Sequence, residues 1–186
     1  MTHQDVLNYW FSSKSKKHWF NSTPEIDTEI REKFESLWVV ANAGELDGWQ
    51  NSPESCLALI IVLDQLPLNM FRRHAKCFLS EKKALELCHY ALSQAYDKEM
   101  GEEKLLFLLI PLGHSEKITD QNDHVELIEK CTQSGKINNE DVLRFAKHHR
   151  DLIEEFGRFP HRNAILGRES TPEEIKYLAS KRAFTG

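Results

Sequence analysis

Apolar positions in this chain recur at three- and four-residue spacing, the period of a helix face, from near its start to near its end. Ile26, Ile30, Phe34, Leu37 and Trp38 make one stripe, and Ala84, Leu87, Cys88, Ala91, Leu92 and Ala95 make another. Val125, Leu127 and Ile128 mark a third, within Asp120 to Cys131. Val142, Phe145, Ala146, His149, Leu152, Ile153 and Phe156 mark a fourth. Cys56–Leu63 and Leu105–Leu112 are apolar on every side, which predicts buried helices. Leu105–Leu112 holds a single β-branched residue, Ile110, so helix is favoured there over strand. No segment alternates with period two.

Start and stop signals agree with this pattern. Thr23-Pro24-Glu25 and Ser52-Pro53-Glu54 each place a hydroxyl cap, a first-turn proline and an acid at the positive end of a helix. Thr171-Pro172-Glu173-Glu174 adds a capping box. Ser80 is read as the cap of a helix running from Glu81 to about Asp97, and Asn139 as the cap of one that Gly157 ends. Gly44 is read as a stop, Pro67 as the end or kink of the first buried helix, and Pro111 as a disturbance at the end of the second. There is no linker or composition break. The expectation is therefore one all-α domain over residues 1–186, a compact stack of helices. No tetratricopeptide sequence repeat is visible.

Composition narrows the class. With 40% hydrophobic and 28% charged residues the chain reads as an ordinary globular protein. The apolar runs are far shorter than the roughly 20 residues that span a bilayer, so no membrane partner is expected. A net charge of -5 argues against nucleic acid as a partner. The N-terminus lacks a secretory pattern, and Cys56, Cys77, Cys88 and Cys131 lack paired spacing. Both point to reduced thiols and a cytoplasmic location.

Several ordered blocks carry a family resemblance. These are Asn8-Tyr9-Trp10-Phe11, Trp19-Phe20, Leu63-Asp64-Gln65-Leu66-Pro67 with Asn69 and Phe71-Arg72, and Pro111–Glu116 with Gln121. The closing block is His149 with Phe156–Asn163 and Leu166-Gly167-Arg168. Together they resemble the bacterial DUF924 family over Tyr9 to Glu174. The resemblance implies a compact all-α fold classed as tetratricopeptide-like, and no settled activity. The chain departs from the family at two points: Leu68 stands where the family usually has arginine, and Gly113 where it usually has methionine.

The candidate chemistry gathers in the closing block. Arg158, Arg162 and Arg168 offer permanently charged forks suited to carboxylate or phosphate, Asn163 adds an amide, and His161 titrates near neutrality. One reading makes them the wall of an anion pocket, joined by Asn69 and Arg72. The other pairs the arginines with Glu154, Glu155, Glu169, Glu173 or Asp64 as structural links. His114-Ser115-Glu116 follows a buried helix, where His114 can act as general base with Glu116 orienting it, or can simply cap the helix end. His149 lies on an apolar stripe as a core histidine or a proton-transfer group, while His148 is expected to be solvent-exposed. Asp64 and Gln65, ending the other buried helix, are read as supporting residues, as is Gln121. An arginine of the closing loop is the expected partner of Asp64.

No HExxH, Glu-x-x-His or Cys/His knuckle is present, so no metal is expected. GxGxxG and GxxxxGK[ST] are both missing, and no cofactor is implied. The aromatic cluster Tyr9, Trp10, Phe11, Trp19 and Phe20 is read as core packing. Two functions stay open, beside a role in assembly in which the whole polar set is structural. One is a small-molecule enzyme, a hydrolase or transferase, holding an anion at Arg158 and Arg162 with His114 or His149 moving the proton. The other is a tetratricopeptide-like binding module for a peptide carboxylate or partner protein, without catalysis.

Overall fold

The computed structural model describes residues 1–184, apart from the side chain of Glu140. The fold is all-α, with no strand among the described residues. The chain forms two compact units, residues 1–111 and 112–186.

In residues 1–111, helix α1 (His3–Trp10) opens on a reciprocal cap between Thr2 and Asp5. A short α2 (Ser13–Lys16) leads to α3 (Pro24–Asn42), whose first turn is capped by the Thr23 hydroxyl as expected. Helix α4 (Pro53–Ile60) runs through the centre, and every residue from Cys56 to Leu63 is solvent-inaccessible. It passes into a π-helical turn, Ile61–Gln65, and then α5 (Leu66–Met70).

Pro67 accounts for this irregularity. Proline has no N–H, so a regular helix would leave the Leu63 carbonyl four residues back without its donor. The Ser80 hydroxyl supplies one, donating to Leu63 O at 2.5 Å while accepting from Trp38 Nε1 at 2.9 Å. Ser80 therefore does not cap α6 (Glu81–Ser93) as expected, because its oxygen serves the core instead. Helix α6 also stops short of Asp97. Ala95 takes a left-handed φ of 58° and starts a 3-10 turn, Tyr96–Glu99.

Helix α7 (Glu102–His114) buries Leu105, Leu108 and Leu109, and its Phe107 ring gathers Trp10 at 5.3 Å and Trp19 at 4.6 Å. The aromatic cluster is not all core, however: Phe20 stacks on Phe107 yet is 78% exposed. The four cysteines are free thiols, three of them buried, and burial pushes the Cys56 thiol up to about 12. No helix of the described residues is long and apolar enough to cross a membrane.

Residues 112–186 are built on α8 (Ile118–Gln133) packed against α9 (Glu140–Phe156). Asn139 caps α9 by accepting from Asp141 N. Gly157, at φ 70°, ends it by donating to Ile153 O at 2.8 Å. The chain then makes a 3-10 turn, Pro160–Arg162, followed by α10 (Asn163–Leu166) and α11 (Pro172–Leu178), the last opened by the expected Thr171–Glu174 capping box. Leu152, Ile153, Phe159 and Tyr177 form the apolar centre, with Phe156 and Phe184 packed on it.

Candidate functional site

The closing segment is shaped by its glycines and one anchor. Gly157 and Gly167 both take left-handed φ, which other residues adopt only with strain, and so turn the chain sharply at each end of the cationic stretch. Between them Phe159, 1% exposed, fastens the segment to the core.

Two arginines of the stretch meet carboxylates from its own unit. Arg158 donates through Nε and Nη2 to both oxygens of Glu174, at 2.6 and 2.8 Å, and through Nη2 to Glu169 O at 2.8 Å. Glu174 is buried, and it also accepts from Thr171 N and Asn163 Nδ2. The Arg158 bond is the main reason its carboxyl is held down to about 2, against the opposing pull of burial.

Arg168 forms a second fork with Glu116, at 2.6 and 3.0 Å, and also reaches Asn163 Oδ1 and Phe159 O. Glu116 accepts from Phe159 N at 2.8 Å as well. Burial alone would raise the Glu116 carboxyl, but Arg168 and the Phe159 N–H outweigh it and hold the pKa low. Arg158, Arg168, Asn163 and Glu116, expected to hold ligand or orient His114, thus form a strap of bidentate ion pairs linking 116, 159, 168 and 174. Of the acids that the sequence offers as partners, Glu169 serves through its carbonyl, while the two carboxylates that clamp the arginines are Glu116, the expected orienter of His114, and Glu174, the expected capping-box acid.

What lies beside the strap is a cluster of imidazoles. His114 ends α7, His124 sits on α8, His149 on α9 and His161 in the turn after Phe159. His114 bears electrostatically on each of the other three, so the four share one neighbourhood. Burial is the first cause that lowers their pKa values: His124 to about 4, His149 to about 3 and His161 to about 4. The neighbouring imidazoles, and for His161 the Arg162 cation, push the same way, while Glu116 opposes them at His161. All three are neutral at pH 7.

His149 and His161 pack against the same two rings, edge-on except for His161 on Phe159, which is tilted at 42°. His149 lies 5.5 Å from Phe159 and 4.8 Å from Phe184, and His161 lies 5.6 and 5.1 Å from them. His148, expected in solvent, is half-buried and also touches Phe184. Arg162 is 6% exposed, with its guanidinium 4.7 Å from the Phe159 ring centre.

Three ring nitrogens of this cluster, His124 Nδ1, His149 Nε2 and His161 Nδ1, are buried without a hydrogen-bond partner among the described residues. A buried polar atom in that state costs about 1–3 kcal/mol. Among the described residues no group of three His, Cys, Asp or Glu could hold a metal ion.

His124 was not singled out from sequence. Its signal was weak but present: it lies one turn from Asp120, Gln121 and Ile128, all buried on the same face of α8. Gln121 finishes α7 by donating to Gly113 O at 2.8 Å and Ser115 O at 2.7 Å. Ser115 donates to Asp120 at 2.5 Å.

The remaining sequence candidates belong to residues 1–111. Asp64 accepts from Gln65 Nε2 at 2.5 Å. Asn69 and Arg72 both hold Asp27, at 2.8 Å and at 2.6 and 3.1 Å.

Comparison with known proteins places this arrangement in context. The profile of DUF924, described as bacterial protein of unknown function, matches residues 6–182. The solved structure of a protein of unknown function from Agrobacterium tumefaciens is similar with a TM-score of 0.86 and 34% identity, covering 95% of this chain and 96% of its own. No curated protein matches the chain.

Proposed function

The chain belongs to the DUF924 family, and we propose that residues 112–186 carry a small-molecule site at the histidine cluster, in an enzyme of hydrolase or transferase type acting on an anionic substrate. The observation that carries this reading is the set of three buried, unpartnered imidazole nitrogens beside a buried arginine. Buried polar atoms in native proteins are nearly always hydrogen-bonded, so three exceptions in one neighbourhood mark a place where a guest completes the bonding.

Neutral imidazoles give this site its chemistry. Each offers one N–H and one lone pair. With a pKa of about 3, His149 stays neutral until an anion is brought beside it. A negative charge brought beside it favours the imidazolium, so substrate binding itself raises its basicity. His149 then accepts a proton from the attacking water or hydroxyl, and Arg162, whose guanidinium also lies against the Phe159 ring, offsets the anion's charge. Arg158, Arg168, Glu116 and Glu174 hold the frame and take no part in proton transfer.

A thermal-shift panel of phosphomonoesters and carboxylates tests the reading. A ligand present at 100 times its Kd should raise the melting temperature by roughly 5–10 °C. His149→Ala should abolish that rise while leaving a folded protein. If no anion stabilises the wild type, or His149→Ala keeps the full shift, the site is not where we place it.

A further inference from the structure

We infer that residues 1–111 carry a docking surface for an acidic peptide segment of a partner protein, one that sets an aliphatic side chain beside its carboxylates. The surface runs along α3 and the stretch of chain after α5. Two buried rings support it: Trp38 and Phe71, with centres 5.0 Å apart, are 3% and 6% exposed. Lys76 Nζ sits 4.1 Å from the centre of the Phe71 ring and 4.8 Å from that of Trp38, and the Arg31 guanidinium lies 5.8 Å from Phe71. Both cations meet Glu35, Lys76 at 3.2 Å and Arg31 at 2.9 Å. Ring faces and carboxylate together hold two otherwise flexible side chains in place, which lowers the entropy lost on binding.

The turn Arg72–His74 extends this charge. Arg72 pairs with Asp27 at 2.6 Å. Arg73 is exposed, takes a left-handed φ of 63°, and has no ion pair among the described residues. His74, also exposed, accepts from Lys76 N through Nδ1 at 3.1 Å, which leaves its Nε2 as an N–H donor. Four cations, Arg31, Arg72, Arg73 and Lys76, thus share two carboxylates, Asp27 and Glu35, and a positive excess stays on a chain of net charge -5. Surface ion pairs are weak, so these cations remain open to a further carboxylate.

Two aliphatic side chains continue from the ion pair. The contacts Glu35–Lys76 at 3.2 Å and Trp38–Ser80 at 2.9 Å fix the register of α3 against the 3-10 turn Ala75–Phe78. Val39 lies one turn beyond Glu35 on the same face of α3. Leu79 lies one turn beyond Lys76, and its N–H donates to Lys76 O at 3.2 Å. Val39 is 51% exposed and Leu79 62%. Cations with aliphatics one turn on are the complement of a segment in which glutamate or aspartate precedes a leucine-like residue. A nucleic acid answers the charge alone. It offers nothing aliphatic to Val39 and Leu79, and its bases find no bare ring to stack on, because Trp38 and Phe71 are buried beneath Lys76 and Arg31.

Titration of the full-length ¹⁵N-labelled protein with the blocked peptide EELEEL tests the surface, with QQLQQL as its uncharged control. The backbone resonances of Val39, Arg73, His74 and Leu79 should move along one saturating curve with EELEEL and stay in place with QQLQQL. Added chloride should weaken the binding, because exposed charges are screened. Arg73→Gly should weaken it at least about threefold, while its melting temperature holds or rises, since glycine takes a left-handed φ without strain. Leu79→Ser should weaken it through the aliphatic contact alone. An unmoved or non-saturating response, an equal response to QQLQQL, or wild-type affinity in Arg73→Gly overturns the proposal. A duplex DNA that moves the same resonances at lower concentration than EELEEL also overturns it, and gives the surface to nucleic acid.

Discussion

A side chain at position 113 would collide with the imidazole of His124: a Cβ built on Gly113 lies 2.7 Å from His124 Cε1 and 2.8 Å from Nδ1. Gly113 is the point where the chain departs from the usual methionine of the family block it resembles. The absent side chain is the room that His124 occupies, so the fourth imidazole of the cluster depends on this one glycine.

Gly113→Ala should therefore destabilise the protein by about 1–3 kcal/mol, the range for overpacking a core, although alanine is the better helix former. In a His124→Ala background the clash is gone, and the same change should stabilise by up to about 1 kcal/mol. Denaturant unfolding of the four proteins of this cycle measures the reversal of sign. Equal effects in both backgrounds would mean that the two residues do not compete for the space.

The bidentate strap predicts which glutamate matters more. Glu174→Ala leaves the Arg158 guanidinium, the Thr171 N–H and the Asn163 amide facing a lost acceptor, and should cost about 3–5 kcal/mol. Glu173→Ala, at an exposed neighbour, should stay within about 0.5 kcal/mol. Urea midpoints for the two variants make the comparison.

Acid should weaken the protein well above the carboxylate range. His124, His149 and His161 have folded pKa values of about 4, 3 and 4, below the ordinary 6.5 that applies when the chain unfolds. Their contribution is complete above pH 6.5. It falls as the pH drops toward 4, because the unfolded chain binds protons that the folded one refuses, at up to about 1.4 kcal/mol per pH unit for each group. Glu174, held at about 2, adds its own loss only below about pH 4.5. Melting temperatures measured from pH 7 to 5 should fall for the wild type and fall less steeply for His149→Gln. Parallel slopes would remove the imidazoles as the cause.

Phe184 should act as a cover on the cluster. Its ring touches His148, His149 and His161, and its N–H donates to Tyr177 Oη at 2.8 Å. Phe184→Ala should cost about 1–2 kcal/mol in stability, less than full burial of the ring would give. It should also raise the pKa of His149 as water reaches it. Carbethoxylation by diethyl pyrocarbonate, followed by peptide mapping, should show faster modification of His149 and His161 in the variant. An unchanged rate would mean that Phe184 does not control access.

Local order was legible without coordinates. The 3.6-residue stripes, the Thr-Pro and Ser-Pro starts, and Gly157 and Thr171 at the ends of the closing stretch all act over a few residues, and the structure keeps them except at Ala95, which lies past the end of α6, and Phe145, which is 49% exposed. The departures arise from contacts between distant positions. Ser80 left its cap because Pro67 freed the Leu63 carbonyl, and no local signal couples positions 63 and 80. Arg158 and Arg168 were recognisable as cations, but their partners were set by the turn at Phe159, beside which Glu174 meets Arg158 and Glu116 meets Arg168.

The same division holds for the site. The sequence by itself determined the helical class, the family and the small group of histidines and arginines worth watching, because periodicity, capping and residue chemistry are local properties. Only the tertiary structure decided which of them pair and which lie buried with an unmet nitrogen. Hydrogen-bond satisfaction and desolvation depend on every neighbour at once, and His124 enters the cluster only because Gly113, eleven residues earlier on another helix, leaves it space.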